Sequence, residues 1–143
     1  MGHENDCIFC KIVNGDIPAS IVYEDDYVLA FTDIGQVTKG HTLLIPKKHQ
    51  ENIFELEEDT AAQLFRVAPT IANAIKKAFD PAGLNMVNNN GKAAMQSVFH
   101  YHLHFIPRYG KDDGFQPHWE DNSDNYSAED LMDIAKKINK HLS

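Results

Sequence analysis

Residues 100–106 read His-Tyr-His-Leu-His-Phe-Ile, and this stretch limits what the chain can fold into more tightly than any other. His100, His102 and His104 alternate with Tyr101, Leu103 and Phe105. Such alternation is the pattern of a half-buried strand, whose side chains point to opposite faces with period two. All three imidazoles then share one face, successive rings lying roughly 6.6 Å apart along the strand. Pro107 has no N–H to give to a ladder and is expected to end the strand. Imidazole titrates near neutral pH and serves as nucleophile, proton donor or metal ligand. The face is either a working site or a polar strand face that happens to be rich in histidine.

The rest of the chain supplies elements for such a strand to pair with. Residues 7–14 carry Ile8, Phe9 and Ile12 in a short helical turn, and residues 14–18 form a loop. Residues 21–24 and 27–31 read as a hairpin turning at Asp25-Asp26. Residues 41–45 are a largely buried strand stopped by Pro46. Residues 51–56 are expected to form a short helix. A longer helix starts near Glu58 or Asp59, whose carboxylates suit an N-terminus. Leu64, Val67, Ala68, Ile71, Ile75 and Ala78 follow helical spacing in it, and Pro69 should kink it or remove one hydrogen bond. Residues 84–88 form a strand, and residues 89–97 a polar loop leading into the histidines. After an irregular stretch over residues 108–125, Ser127 caps a final helix with Leu131, Ile134, Ile138 and Leu142 on one face. Strands joined by short turns, with segregated helices, predict an α+β fold: an antiparallel sheet of about five strands, a long helix and a C-terminal helix.

The 143 residues suit one domain over 1–143, with a core over about 7–110 and a tail and helix beyond it. The net charge of −8 disfavours nucleic acid as a partner, because non-specific binding needs Lys and Arg against phosphates. No apolar run is long enough to span a bilayer, and the acidic start lacks the basic and apolar regions of a signal peptide. Asp6 stands where a myristoylation motif needs Ser or Thr. A cytoplasmic protein without membrane contact is the expectation.

Several patterns carry possible chemistry. Asn89, Gln96 and Ser97 bound a loop of small and amide residues in which backbone N–H groups can approach a phosphate, although Asn and Gly dominate ordinary turns as well. A neutral imidazole is a good nucleophile when its second nitrogen keeps a proton on an acceptor. Asp33 follows a buried strand, as a turn residue or as a reader of hydroxyl groups. Ile8, Phe9, Ile12, Phe31 and Ile34 are either core or the walls of an apolar cleft. The two cysteines, Cys7 and Cys10, form Cys-x-x-Cys, which without an export signal reads as metal or redox chemistry before a structural disulfide. His49 and His100 are candidates to complete a tetrahedral Cys₂His₂ zinc site, at spacings unlike a zinc finger. His3 lies in a terminal segment. His118 and Trp119 in the tail either cover a partner subunit or pack on the surface, and Asp112, Asp113, Glu120, Asp121 and Asp124 read as a solvated acidic run.

The histidine run resembles the signature of the histidine-triad family. So do Ile8-Phe9, residues 31–34 (FTDI), residues 40–49 (GHTLLIPKKH), residues 88–91 (NNNG) and Gln96-Ser97, all in family order. The likeness spans most of residues 7–110 and is greatest to small bacterial members and Hint-like nucleoside phosphoramidases. It implies a HIT-like fold, a homodimer and a purine nucleotide substrate. It further implies hydrolysis at the α-phosphorus of nucleoside 5′-phosphoramidates or related conjugates, through a nucleotidyl-histidine and with no catalytic metal. A dinucleoside polyphosphate hydrolase or nucleotidyltransferase, and a non-catalytic nucleotide-binding interaction protein, are the alternatives. By this resemblance His102 is the nucleophile, oriented by the backbone carbonyl of His100, and His104 sits beside the α-phosphate. His41 matches a further histidine near the nucleophile. Asn89, Gln96 and Ser97 surround the phosphate, Asp33 binds the ribose, and Ile8, Phe9, Ile12, Phe31 and Ile34 pack the base. Some bacterial members and the related galactose-1-phosphate uridylyltransferases place zinc with residues like Cys7, Cys10, His49 and His100, so zinc is expected here as a structural staple.

Overall fold

A computed structural model describes residues 6–142. The elements in chain order are α1 (Ile8–Val13), β1 (Ile21–Glu24), β2 (Val28–Thr32), β3 (Thr42–Pro46), α2 (Glu58–Phe79), β4 (Gly83–Val87), β5 (Leu103–Arg108) and α3 (Ala128–Asn139). The five strands form one sheet in the order β1-β2-β3-β5-β4, with every pair antiparallel. The expected α+β architecture is therefore what forms. His3 lies outside the described residues.

Alternation along the central strands builds two cores. Val28, Ala30, Leu44, Leu103 and Phe105 face α2, which presents Leu64, Val67, Ala68, Ile71 and Ile75 at helical spacing. Ala78, at the end of the same pattern, is exposed. Leu29, Phe31, Leu43 and Ile45 face the other way and pack with Phe9 of α1. β2 and β3 are thus covered on both faces, which is why they read as continuous apolar runs. β5 divides its residues: Leu103 and Phe105 go to the α2 core, while His104, like His102 just before the strand, takes the α1 side.

Three local expectations need correction. The strand begins at Leu103, not at His100. The backbone just before it bonds elsewhere: Tyr101 N–H donates to the Gln50 carbonyl at 2.7 Å, and the His100 and His102 carbonyls accept from side chains. The in-and-out alternation of side chains nevertheless starts at His100. Pro107 does not end the strand, which continues to Arg108 and pairs Pro107 with Leu84. The Arg108 carbonyl accepts from Ala82 on the β4 side, whereas the Pro107 carbonyl accepts from Thr38 Oγ1 at 2.6 Å. The proline nitrogen therefore faces away from β4, where β3 pairing has already ended at Phe105, and no ladder bond is lost. Residues 51–56 form one turn and not a helix. The Asn52 carbonyl accepts from Glu55 and Leu56 N–H at 3.0 Å, and Asn52 Oδ1 caps this single turn by accepting from Phe54 N–H at 3.1 Å.

α2 continues through Pro69, whose missing donor falls on the exposed side of the helix. It ends at Asp80 in the left-handed region, with Asp80 N–H on the Lys76 carbonyl at 2.9 Å. Ser127 caps α3 in a reciprocal box with Asp130, as its position before the apolar run predicts. Asp113 departs from the expected solvated run: its carboxylate takes Arg108 Nε and Nη2 at 2.7–3.0 Å and ties the tail to β5. No helix among the described residues is long and apolar enough to cross a membrane.

Phe105 is fully buried at the centre of the α2-side core. Phe105→Ala should destabilise the fold by about 3–5 kcal/mol, read as a lower urea midpoint with an unchanged slope. A loss under 1 kcal/mol, on the same order-of-magnitude scale, would contradict this packing.

Candidate functional site

The α1 side of the sheet holds the histidines. His102 Nδ1 lies 2.7 Å from the His100 carbonyl oxygen. A carbonyl only accepts, so Nδ1 carries the ring proton and Nε2 keeps the lone pair. Phe9 stands edge-on to this ring at 5.1 Å between centroids, and His104 lies at the same centroid distance on another side. Asn88 Nδ2 donates to the His102 carbonyl at 3.0 Å, so the residue is held by backbone and ring together. His41 Nε2 lies 2.9 Å from His104 Nδ1 and 3.5 Å from Asp33 Oδ2.

Burial sets the charge state of these rings. It pushes the His102 pKa down, against the opposing pull of the His100 carbonyl and Asp33. His104 is pushed down to about 4, first by burial and then by repulsion from His102 and His41. Burial likewise lowers His41, with Asp33 opposing. At pH 7 the site holds neutral imidazoles, the form in which a ring nitrogen can attack or accept.

A cavity of about 610 Å³ opens in front of His102 and His104, within the range of small-molecule sites. α1 contributes Ile8, Phe9 and Ile12 to its wall, and the end of β2 contributes Phe31, Asp33 and Ile34. Ser97 and Val98 close the side next to the histidines. The walls are mostly apolar, and Ser20, Thr32, Asp33, Ser97 and the two imidazoles supply the polar groups.

Behind α1 lies a second cluster. The ligand atoms of Cys7, Cys10, His49 and His100 all fall within 4.8 Å of one another. Cys7 caps α1, and its sulfur and that of Cys10 sit on the same side of the first turn. The sulfur to Nδ1 distances are 3.4 Å for Cys7–His100, 3.5 Å for Cys10–His100 and 3.3 Å for Cys10–His49. A tetrahedral zinc with ordinary Zn–S and Zn–N bonds would separate such atoms by about 3.5 Å. His100 Nε2 donates to the Pro46 carbonyl at 2.7 Å, which leaves Nδ1 as the lone-pair nitrogen facing the sulfurs. Two thiols and two imidazoles in this arrangement fit a closed zinc site.

Residues 14–111 match the HIT domain. The chain belongs to the histidine-triad family. Protein hit of Bacillus subtilis is 58% identical over 137 residues, covering 96% of this chain and 94% of that protein. The adenosine 5′-monophosphoramidase of Schizosaccharomyces pombe is 36% identical over 136 residues, covering 95% of this chain and 98% of that one. Among solved structures, a HIT family protein from Bacillus anthracis superposes with a TM-score of 0.95 at 54% identity, covering 97% of this chain and 99% of that chain. A zinc-bound histidine triad family protein from Mycobacterium smegmatis superposes with a TM-score of 0.72 at 36% identity, covering 96% and 98%.

In this histidine-triad chain the cavity gathers Ile8, Phe9, Ile12, Phe31, Asp33, Ile34, Ser97, His102 and His104. Ile34 is almost fully exposed and stands at the rim. His41 reaches the site through His104 and not through the cavity wall. Gln96 and Asn89 stand apart from the lining. Gln96 is buried and braces the loop, with Oε1 accepting from Gly91 N–H and Nε2 donating to the Glu51 and Val98 carbonyls. Asn89 is half-buried at the start of the loop. Sequence reasoning passes over Asn88, the Val37 amide and the Pro46 carbonyl. Asn88 stood in the family-like NNNG run, which is the one signal for it. The other two are backbone groups, and no side-chain pattern announces them.

Lowered histidine pKa values have a consequence for stability. In the unfolded chain an imidazole binds its proton near pH 6.5, whereas folded His104 resists it until about 4. Between those values the unfolded state binds more protons, so stability is full above about pH 6.5 and falls as pH drops towards 4. The thermal midpoint should therefore fall from pH 7.5 to pH 5, and His104→Gln should shrink that fall. An equal fall in both proteins would show that His104 is not a source of it.

Proposed function

We propose that the protein is a nucleotide hydrolase that cleaves nucleoside 5′-phosphoramidates or related conjugates at the α-phosphorus through a nucleotidyl-His102 intermediate. The observation that carries this reading is the His102 ring: Nδ1–H is committed to the His100 carbonyl, and Nε2 is left as a lone pair on a ring that lines an apolar cavity. His102 Nε2 attacks phosphorus as the P–N bond breaks, and the departing amine carries away a proton taken from solvent. The His100 carbonyl steadies the imidazolium so formed. Water then attacks the same phosphorus, loses a proton, and returns a nucleoside monophosphate and neutral His102. His104 and Ser97 offer donors to the phosphoryl oxygens, where fixed hydrogen bonds stabilise developing charge without a metal. Asp33 is placed to accept from ribose hydroxyls, and Ile8, Phe9, Ile12, Phe31 and Ile34 to pack the base. Gln96 acts on the phosphate through the loop it braces, and Asn89 through the start of that loop. The phosphoramidase from Schizosaccharomyces pombe supports this choice of substrate.

Brief mixing with adenosine 5′-phosphoramidate, followed by intact-protein mass spectrometry and product analysis, tests the reading. The wild type should release AMP, and His102→Ala should lose at least about 10³-fold in rate. No AMP and no adduct from a folded, nucleotide-binding wild type would sink it. Turnover of dinucleoside polyphosphates alone would keep the intermediate and change the leaving group.

The same reading gives Cys7, Cys10, His49 and His100 a structural zinc ion, which when bound cross-links α1 to the end of β3 and to the triad. The zinc-bound relative from Mycobacterium smegmatis and the sulfur–nitrogen distances support it. The need to keep both thiols reduced favours a cytoplasmic setting. The exposed apolar stripe of α3, with Leu131, Ile134 and Ile138, supports a homodimer. Elemental analysis should find one zinc per chain, and chelation should lower the thermal midpoint by about 5 °C or more. A metal-free protein with an unmoved midpoint would remove zinc from the reading.

A further inference from the structure

The His41 ring lies outside the cavity and is buried, yet its contacts determine which way a neighbouring imidazole points its proton. Val37 N–H donates to His41 Nδ1 at 3.2 Å. A backbone amide can only donate, so Nδ1 holds a lone pair and the neutral ring carries its proton on Nε2. That Nε2 lies 2.9 Å from His104 Nδ1. His104 Nδ1 must then accept, and the proton of the neutral His104 ring is left on Nε2. The direction of each bond follows from the one before it, beginning at an amide that has no alternative.

We propose that His41 is a positioning residue that locks His104 in the Nε2–H tautomer, so that His104 can act only as a hydrogen-bond donor towards the phosphoryl group. The inference rests on the functional reading for what His104 Nε2–H meets, but not for the tautomer itself. His102, just before β5, and His104, on it, are close neighbours with opposite tasks. The His100 carbonyl puts the proton of His102 on Nδ1, and His41 puts the proton of His104 on Nε2. One ring is thereby fixed as an electron-pair donor and the other as a proton donor. An imidazole in the wrong tautomer is useless even in the right place, because its lone pair would face the phosphoryl oxygens.

The remaining contacts of His41 agree with this role. Asp33 Oδ2, 3.5 Å from His41 Nε2, favours a proton at that nitrogen, while Asp33 Oδ1 accepts from Gly35 N–H at 2.8 Å. Gln36 Nε2 bridges the Asp33 and His41 carbonyls at 2.6 and 2.7 Å, and Gln36 Oε1 accepts from Gly40 N–H. The turn that presents Val37 N–H is therefore itself braced. Asp33, His41 and His104 also have the composition of a metal site. A metal at His41 Nε2 would move the proton to Nδ1, against the Val37 amide, so the observed bond opposes that use.

The test combines spectroscopy with kinetics. Long-range ¹⁵N–¹H correlation spectra of the wild type at neutral pH should give His104 a protonated Nε2 and an unprotonated Nδ1, with His102 reversed. With adenosine 5′-phosphoramidate, His41→Ala should lower kcat on the order of 10- to 100-fold, the size seen when the partner that orients a functional imidazole is removed. KM should change little, because His41 does not touch the cavity. His41→Gln, whose side-chain amide can still donate towards His104 Nδ1, should recover most of the loss and the wild-type spectrum at His104. A proton on His104 Nδ1 in the wild type would overturn the proposal. So would a His41→Ala protein with unchanged kcat, or a His41→Gln protein no better than His41→Ala. A wild type that shows the expected tautomers without turnover would fail the functional reading and leave the tautomer lock standing.

Discussion

The hydrogen bond from His102 Nδ1 to the His100 carbonyl joins everything distinctive in this molecule. His100 contributes its carbonyl to one site and its ring to another. The ring bonds Pro46 through Nε2 and faces Cys7 and Cys10 through Nδ1. The thiol–imidazole cluster and the cavity are therefore not separate modules on one scaffold. They share a residue, and they also share α1, whose first turn carries the cysteines and whose length supplies Phe9 and Ile12 to the wall. Phe9 completes the connection by standing edge-on to both His100 and His102.

That arrangement depends on how β5 is used. A strand in the middle of a sheet usually buries apolar side chains on both faces, as β2 and β3 do here. β5 gives Leu103 and Phe105 to the core under α2, which anchors it, and spends its other face on imidazoles. The rigidity needed to hold ring nitrogens to tenths of an ångström comes from the buried face of the same strand. α1, being short, covers only part of the opposite face, and the uncovered part is the cavity.

The sequence was readable where side-chain identity decides the structure. The period-two pattern at His100–Phe105 revealed the shared face, and Cys-x-x-Cys pointed to metal or redox chemistry at Cys7 and Cys10, whose thiols lie beside His49 and His100. Reading failed where backbone groups decide. Nothing in the letter at Val37 says that its amide meets His41, and nothing at Pro46 says that its carbonyl meets His100. Pro107 looked like a terminator because the letter does not say which side of the strand its nitrogen faces. An amide beside a glycine loop is equally suited to bind a guest or to brace its own loop, and the letter at Gln96 does not show its bonds to Gly91, Glu51 and Val98. Likeness to family segments ordered these pieces before any geometry was known, but it could not say which bonds hold them.

β5 is the last strand in the chain and yet lies between β3 and β4. Without residues 103–108, β4 has no strand partner among the described residues, β3 has an open edge, and the α2-side core lacks Leu103 and Phe105. The same six residues also carry His104, so one short segment closes the sheet, fills the core and bears part of the reactive face.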